Sequence, residues 1–327
     1  MKLKILRKLL ILLLLLLPVT ACAELEAHFV DVGQGDCCIL VCDGEAMIVD
    51  GGQAQASEIV YDYAVNHLGI TDWKAVVATH PDNDHICGLI PLFDVCSVQT
   101  FIAPTMKALN ANAYPQLLSR VEDENCAFII PKWGETFPLG SAEVTMYPGN
   151  GSSANGKSIV LKIRYGDTSF LLTGDMDSEN EKDILAMGID VQADVLKVAH
   201  HGSSESSSFD FLRAVSPEYA VISVGKDNEY GHPTDTVIDR LITVGAAIHR
   251  TDFDGNIVFT SDGTALQIET IAARERKTVY IGNWKSKKLH YPDCGSVSDM
   301  MEWNKVEFTN REDAIAQGYV PCRRCDP

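Results

Sequence analysis

The loop formed by residues 79–85 constrains the fold and chemistry of this chain more than any other segment. It reads Thr-His-Pro-Asp-Asn-Asp-His and directly follows the apolar run 75–78, which has the length and composition of a buried strand. Four metal-capable side chains fall within six positions, namely His80, Asp82, Asp84 and His85. Their alternating spacing lets a tight loop direct two ligands to one ion and two to another. Mixed imidazole and carboxylate ligands suit zinc, manganese or iron rather than a thiolate-selecting metal.

The rest of the main body predicts a layered α/β architecture. The chain has 327 residues, of which 46% are hydrophobic, and this is enough for a large core. Short β-rich runs alternate with helical stretches over roughly 250 residues, as expected for sheets covered by helices. Periodicity alone leaves two arrangements open, an αββα sandwich and a doubly wound sheet.

Five further segments follow a fixed order along the chain: Asp-Val-Gly-Gln-Gly-Asp at 31–36, Ile-Val-Asp-Gly-Gly at 48–52, Leu-Leu-Thr-Gly-Asp at 171–175, Lys-Val-Ala-His-His-Gly-Ser at 197–203 and Gly-His-Pro at 231–233. Together with the loop, they resemble the motifs of the metallo-β-lactamase superfamily. The form with Asp82 at the second position is similar to the hydrolase domain attached to the ComEC DNA-uptake channel and to its stand-alone secreted relatives. This resemblance covers residues 25–271 and implies an αββα metallo-β-lactamase sandwich.

The resemblance also implies a ligand set for two divalent ions, zinc or manganese. In that set His80 and Asp82 bind one ion, Asp84, His85 and His232 bind the other, and Asp175 bridges both. Many family members place a further His shortly before the bridging Asp, where this chain has Asn155 and Ser158. The first ion would then be weakly held or rich in water ligands, so the sequence leaves open whether one ion or two bind.

Further roles follow from the same resemblance. Asp50 is expected to orient a metal-binding His through a hydrogen bond. Asp84, His200 and His201 are the candidate catalytic residues. One of the two adjacent His is expected to contact phosphate or act as a general acid, and the sequence does not choose between them. Paired ions would activate water for attack, so no Ser or Cys nucleophile is required.

We therefore expect a metal-dependent hydrolase, with a phosphodiesterase as the favoured activity and extracellular DNA as one candidate substrate. Two alternatives are hydrolysis of a phosphodiester polymer at the cell surface and a non-catalytic binding protein with a degenerate metal site. The net charge of −18 repels polyanions, so an anionic substrate has to be held locally by metal. Hydrolysis of β-lactams is disfavoured because Asp82 and the missing His depart from the ligand set of those enzymes. No protein partner is evident from the sequence.

The first 22 residues predict a lipoprotein-type signal peptide. They combine a basic start, the aliphatic run 9–17 and small residues before Cys22, and the apolar run is too short to span a bilayer. Cleavage before Cys22 would place the exported protein at the extracellular face of the cell membrane, anchored through a lipid on that sulfur. Ordinary cleavage after Ala23, which gives a freely secreted protein, is the alternative.

Residues 278–327 predict a small zinc-binding module after a composition shift at 272–277. Residues 273–327 hold ten Lys or Arg against eight Asp or Glu, whereas the whole chain is strongly acidic. The ligand count of a Cys₃His structural zinc site is met by His290, Cys294, Cys322 and Cys325. These residues resemble the metal-binding module of the Ada DNA-repair protein, with His290 in place of the Cys that accepts a methyl group. Alkyl transfer is therefore not implied, and a disulfide among the cysteines is the alternative.

Overall fold

The computed structural model describes residues 24–105, 113–271, 280–291, 294–298, 300–309 and 311–322. Contacts divide the chain into two compact units that separate between Ala272 and Ala273. The predicted signal segment with Cys22, and the predicted zinc ligand Cys325, lie outside the described residues. Among the described helices, none combines the length and hydropathy that a membrane crossing requires.

Two large sheets form the first unit. Its strands are, in chain order, β1 (Leu25–Phe29), β2 (Cys38–Cys42), β3 (Glu45–Val49), β4 (Asp72–Trp73), β5 (Ala75–Val77), β6 (Ser97–Val98), β7 (Thr100–Ile102), β8 (Ala127–Ile129), β9 (Glu135–Leu139), β10 (Ala142–Pro148), β11 (Ile159–Tyr165), β12 (Thr168–Leu172), β13 (Val195–Lys197), β14 (Tyr219–Ile222), β15 (Ala247–Arg250), β16 (Asn256–Ser261) and β17 (Leu266–Ile271). The first sheet has the order β17-β16-β1-β2-β3-β5-β7-β8, and the second has the order β15-β14-β13-β12-β11-β10-β9. The short strands β4 and β6 pair with each other.

Helices connect the strands. The α-helices of the first unit are α1 (Ser57–Tyr61), α2 (Asn83–Ile86), α3 (Tyr114–Glu124), α4 (Ser178–Ala186), α5 (Phe209–Val215), α6 (Asp235–Val244) and α7 (Thr251–Asp254). Tighter 3₁₀ segments cover Ala54–Ala56, Cys87–Asp94, Asn155–Lys157 and Ala199–Gly202, and a π segment covers Asp62–His67. Local chemistry sets several ends. The Asp177 side chain accepts two amide hydrogen bonds at the start of α4, and α6 ends at Gly245, whose left-handed conformation favours glycine.

The buried side chains form three core layers. Because successive side chains of a strand point to opposite faces, Ile48 of β3 packs with helices α1 and α3, whereas Met47 packs between the two sheets. On β12, Leu172 faces the same layer between the sheets, and Leu171 packs with helices α4 to α6. The layers therefore run helix, sheet, sheet, helix. The αββα sandwich expected from the resemblance is confirmed, and the doubly wound alternative is wrong.

The second unit is a small sheet with short helices. Its strands are β18 (Tyr280–Asn283), β19 (Lys288–His290), β20 (Lys305–Phe308) and β21 (Val320–Pro321), and its helices are α8 (Gly295–Ser298), a 3₁₀ turn at Glu302–Asn304 and α9 (Arg311–Ala316). The strand order is β20-β18-β19-β21. Two small apolar clusters, one including Cys294 and one centred on Leu289 and Tyr319, make up its described core. A unit of this size gains stability from a metal site because its core is small.

Candidate metal centre

The candidate metal centre lies where strands of both sheets end. In the first sheet, the parallel strands β3 and β5 are followed by Asp50 and by the loop at 79–85. In the second sheet, the parallel strands β12 and β13 are followed by Asp175 and by His200 and His201. Parallel strands of one sheet present their following loops at a single edge. Contacts of Asp175 with His80 and His85, and of His201 with Asp84, bring the two edges together.

One group of ligand-capable atoms comes from His80, His85 and Asp175, and these atoms all lie within 4.8 Å of one another. Asp175 carries one oxygen toward each imidazole: Oδ1 is 3.3 Å from His85 Nε2, and Oδ2 is 3.9 Å from His80 Nε2. Asp82 Oδ2 lies 3.7 Å from the same nitrogen of His80. The loop and the later carboxylate are therefore adjacent, as a shared metal site requires.

A second group overlaps the first and consists of Asp84, His85 and His201. His201 Nε2 lies 3.4 Å from Asp84 Oδ2 and 3.7 Å from Asp175 Oδ1. His201 therefore lies beside Asp84 and His85. The resemblance implied His232, not His201, as the third ligand of the ion that these two residues bind. In the described part of the chain His232 belongs to no such group, and its assignment as a ligand stays a prediction.

His200 points to a different set of neighbours from His201. Its Nε2 lies 3.8 Å from Asp175 Oδ2 and 3.4 Å from Asn155 Nδ2, and its ring meets the His232 ring edge-on at 5.6 Å. The backbone φ angles of His200 and His201 are 52° and 53°, in the left-handed region that few non-glycine residues adopt. This turn points the two adjacent imidazoles toward different neighbours. Their adjacency in the sequence does not predict that difference.

Hydrogen bonds to Nδ1 orient all three clustered imidazoles. His85 Nδ1 donates to Asp50 Oδ2 at 2.8 Å, and His201 Nδ1 donates to the Ser223 carbonyl at 2.8 Å. The Thr79 hydroxyl donates to Asp50 Oδ2 at 2.7 Å, so it can accept a hydrogen bond from His80 Nδ1 at 3.1 Å. With each Nδ1 occupied in this way, each Nε2 is directed into the cluster. Asp50 therefore contacts His85, and its role in orienting a metal-binding His stays a prediction.

Asp36 and Lys197 form a buried ion pair beside the imidazoles, and neither residue was predicted to have a role at this site. Lys197 Nζ is 2.7 Å from Asp36 Oδ2 and donates to the Val198 carbonyl at 3.0 Å. Asp36 Oδ1 is also 3.1 Å from His201 Nδ1. The available signal was the position of Lys197, an ammonium group at the end of an otherwise apolar strand. Such a residue is rarely buried without a charged partner.

The electrostatics of the cluster are strongly coupled. Burial alone would raise the pKa of Asp36, but the Lys197 ammonium and His201 outweigh it and hold that pKa below its usual value. Burial alone would lower the pKa of His201, but Asp175 and Asp36 outweigh it and raise that pKa to about 10. The pKa of His85 is raised for the same reason, by Asp175 and Asp50. The carboxylates therefore attract positive charge, which protons supply when no cation is bound.

The donor atoms fit divalent metal ions. Several buried side-chain atoms of the described residues lack a hydrogen-bond partner, and four of them belong to this cluster: His80 Nε2, His85 Nε2, His201 Nε2 and Asp175 Oδ1. A buried polar atom without a partner is costly, and convergent atoms of this kind are accounted for by a shared ligand. Imidazole nitrogens and carboxylate oxygens are ligands of zinc and manganese.

A separate metal-capable group lies in the second unit. It consists of His290, Cys294 and Cys322, whose ligand atoms lie within 4.8 Å of one another. His290 Nδ1 is 3.4 Å from Cys294 Sγ, and burial lowers the pKa of His290, which favours the neutral form that binds metal. Thiolate and imidazole together suit zinc. The fourth predicted ligand, Cys325, is outside the described residues.

Comparison with known proteins agrees with this geometry. A family model described as the metallo-beta-lactamase superfamily matches residues 30–226. The chain belongs to the metallo-β-lactamase superfamily. As a solved structure of that fold, YhfI from Bacillus subtilis aligns with a TM-score of 0.52 and 12% identity, over 73% of this chain and 100% of that one. This likeness bears on the fold alone.

Curated relatives indicate to which branch of the superfamily the chain belongs. ComE operon protein 3 of Bacillus subtilis is 28% identical over 257 residues, which is 72% of this chain and 33% of that protein. Competence protein ComA of Neisseria gonorrhoeae is 31% identical over 234 residues, which is 70% of this chain and 31% of that protein. The chain thus spans about a third of the length of these relatives. The expected ComEC-type membership is confirmed, and superfamily membership supports a metal-dependent hydrolase.

Proposed function

We propose that the first unit is a metal-dependent phosphodiesterase. The observation that carries the proposal is the convergence of unpartnered ligand atoms from both sheets, each imidazole oriented through its Nδ1. One zinc or manganese ion would be held by His80, Asp82 and Asp175, and a second by Asp84, His85, His201 and Asp175. When bound, such a pair supplies positive charge that polarises a phosphoryl oxygen and activates water.

The protein's own residues orient the ligands and the substrate. Asp50 holds His85 directly and His80 through Thr79, so one carboxylate aligns two ligands. His200 is partly open to solvent, with its Nε2 beside Asp175 and Asn155. From that position it can donate a hydrogen bond to a phosphoryl oxygen or a proton to a leaving oxygen. We assign it the substrate-facing role and assign His201 the ligand role.

The names of two relatives favour a phosphodiester such as DNA, and the charge of the chain confines its binding to the ligand cluster. The chain carries a net charge of −18, so an anionic substrate is attracted only where cations are concentrated, which is at the ligand cluster. One curated relative is named a competence protein and another a recombination protein. We propose single-stranded or extracellular DNA as the first substrate to test. A cell-surface phosphodiester polymer is the second.

The test measures metal content and turnover in the same preparations. The metal-loaded protein is incubated with labelled DNA, with a phosphodiester-linked wall polymer and with bis-p-nitrophenyl phosphate. Asp175→Asn should abolish turnover, whereas His67→Ala, which removes an exposed His from the π segment, should retain it. Absence of turnover on all three substrates, in protein shown to hold metal in the first unit, would refute the proposal and favour a binding protein.

We also propose export and a lipid anchor on Cys22. The support is the sequence pattern of residues 1–22, with its basic start, aliphatic run and small residues before the cysteine. Expressed in a bacterium, the protein should partition into the detergent phase, and Cys22→Ser should move it to the aqueous phase. Equal partition of the two forms would indicate free secretion.

For the second unit we propose one structural zinc bound by His290, Cys294, Cys322 and Cys325. The support is the buried cluster formed by the first three of these residues. Cys294→Ser should remove one equivalent of zinc per chain while hydrolysis in the first unit persists. Unchanged zinc content, or a disulfide at Cys294 found by mass spectrometry, would contradict this assignment.

A further inference from the structure

An exposed aromatic ring stands at the end of a series of rings that begins at the candidate metal centre. Tyr230 is 66% exposed, yet its ring is stacked on His232, with centroids 5.7 Å apart and planes inclined by 25°. The His232 ring meets His200 edge-on at 5.6 Å, and His200 Nε2 is 3.8 Å from Asp175 Oδ2. One ring-to-ring step therefore separates the substrate-facing imidazole from His232, and a second leads to Tyr230.

The Asn228 side chain makes four hydrogen bonds within the loop that carries Tyr230. Its Oδ1 accepts hydrogen bonds from the amides of Tyr230 at 3.2 Å and His232 at 3.0 Å. Its Nδ2 donates to the carbonyls of Gly225 at 3.1 Å and His232 at 2.6 Å. The backbone under the tyrosine is therefore ordered before any ligand arrives. A preorganised ring loses little conformational entropy when it binds.

The loop is exposed to solvent at Gly231. A Cβ placed on Gly231, between Tyr230 and His232, would meet no atom within 4 Å. Of the charged residues in this loop, Lys226 is outnumbered by Asp227 and Glu229, so the loop does not attract phosphate by charge. An exposed aromatic face beside an acidic loop suits the uncharged, planar part of a substrate.

We propose that Tyr230, backed by His232, is a stacking platform for a nucleobase next to the phosphodiester that is cleaved. The inference rests on the proposed phosphodiesterase function and names its substrate class as single-stranded nucleic acid. Bases in a single strand are free to stack on an aromatic side chain, and such stacking tolerates any base. A polymer that lacks aromatic groups gains nothing from the platform.

The experiment uses the full-length protein with Tyr230→Leu, which keeps an apolar side chain but removes the ring, and with Tyr230→Phe as the matched control. The probe is a single-stranded oligonucleotide containing one 2-aminopurine, whose fluorescence is quenched by stacking. Binding is measured with chelator-treated protein and, before turnover, with metal-loaded protein. A second oligonucleotide replaces the 2-aminopurine with an abasic site. Because Tyr230 is largely exposed, the melting temperature should not change in either variant.

We expect Tyr230→Leu to abolish most of the quenching and to raise KM and Kd roughly 5- to 150-fold, the range of base-aromatic stacking, with much less change in kcat. Tyr230→Phe should retain quenching and KM, and the abasic oligonucleotide should be insensitive to both changes. Turnover with an equal KM for the unchanged protein, Tyr230→Leu and Tyr230→Phe, or quenching that persists in Tyr230→Leu, would refute the stacking platform. The proposed phosphodiesterase function would be unaffected. Tyr230-dependent quenching without hydrolysis of any phosphodiester would retain the platform and remove the proposed function.

Discussion

Replacing Lys197 with Met removes the ammonium group that offsets a buried carboxylate. Lys197 is 3% exposed, Asp36 is 5% exposed, and their charged atoms are 2.7 Å apart. Met has a similar volume, so the change acts mainly on charge. Removing one partner of a buried pair costs about 3–5 kcal/mol, because the other charge is left without compensation. His201 Nδ1 remains 3.1 Å from Asp36 Oδ1, so we expect the lower end of that range, about 3 kcal/mol.

Lys162→Met is the matched control. Lys162 Nζ is also buried and also lies 2.7 Å from a carboxylate, Asp190, but the Asp190 side chain is 63% exposed. Water can solvate Asp190 once the ammonium is lost, so the expected cost is about 1 kcal/mol or less. The two variants therefore differ chiefly in whether the remaining carboxylate can reach solvent.

The assay is thermal unfolding of chelator-treated protein. A loss of about 3 kcal/mol should lower the melting temperature of a unit of this size by about 6–12 °C. Adding Asp36→Asn to Lys197→Met should recover part of the loss, because the uncompensated charge is gone. Equal shifts for Lys197→Met and Lys162→Met, or no recovery in the double variant, would refute the reasoning.

Three further outcomes are expected. Asp175→Asn should weaken metal binding in the first unit by at least about 100-fold, since mutation of residues that only orient the ligands lowers metal affinity about 10–100-fold. An unchanged affinity in calorimetry would show that Asp175 is not a ligand. The pKa of His201 is raised from 6.5 to about 10 in the metal-free protein, so its stabilising contribution is complete below pH 6.5 and is lost as the pH rises through 10. The melting temperature of chelator-treated protein should fall as the pH rises from 6.5 to 10, while the affinity for zinc increases. An equal fall in the melting temperature of His201→Gln would contradict this. Gly88→Ala should destabilise by about 1–3 kcal/mol, because a Cβ there would overlap the Gly51 carbonyl oxygen. An unchanged urea midpoint would contradict this.

The loop at 79–85 was predictable because its information is local. An apolar strand followed at once by alternating His and Asp fixes both the end of the strand and the ligand types, and the structure ends β5 at Val77 with His80 three residues beyond it. The order of the remaining motifs, through the resemblance, gave the αββα sandwich. Both faces of β3 and β12 are buried in that sandwich, so successive side chains of each strand pack in two different core layers.

The different contacts of His200 and His201 could not be predicted from sequence. Two adjacent imidazoles have the same composition and nearly the same position, and only the left-handed turn at both residues assigns them different partners. The contact between His201 and Asp84 joins the edges of two different sheets. The roles of Asp36 and Thr79 likewise depend on distances across the core, to Lys197 and to Asp50.

The sequence by itself determined the ligand types, the strand that delivers them and the family of the fold, because these depend on neighbouring residues and on the order of short segments. The tertiary structure alone decided which nitrogen of each imidazole faces inward and which carboxylates stand behind it. The physical reason is that each Nε2 is directed by a hydrogen bond at Nδ1, and two of those bonds, to Asp50 and to Ser223, come from partners distant in the chain.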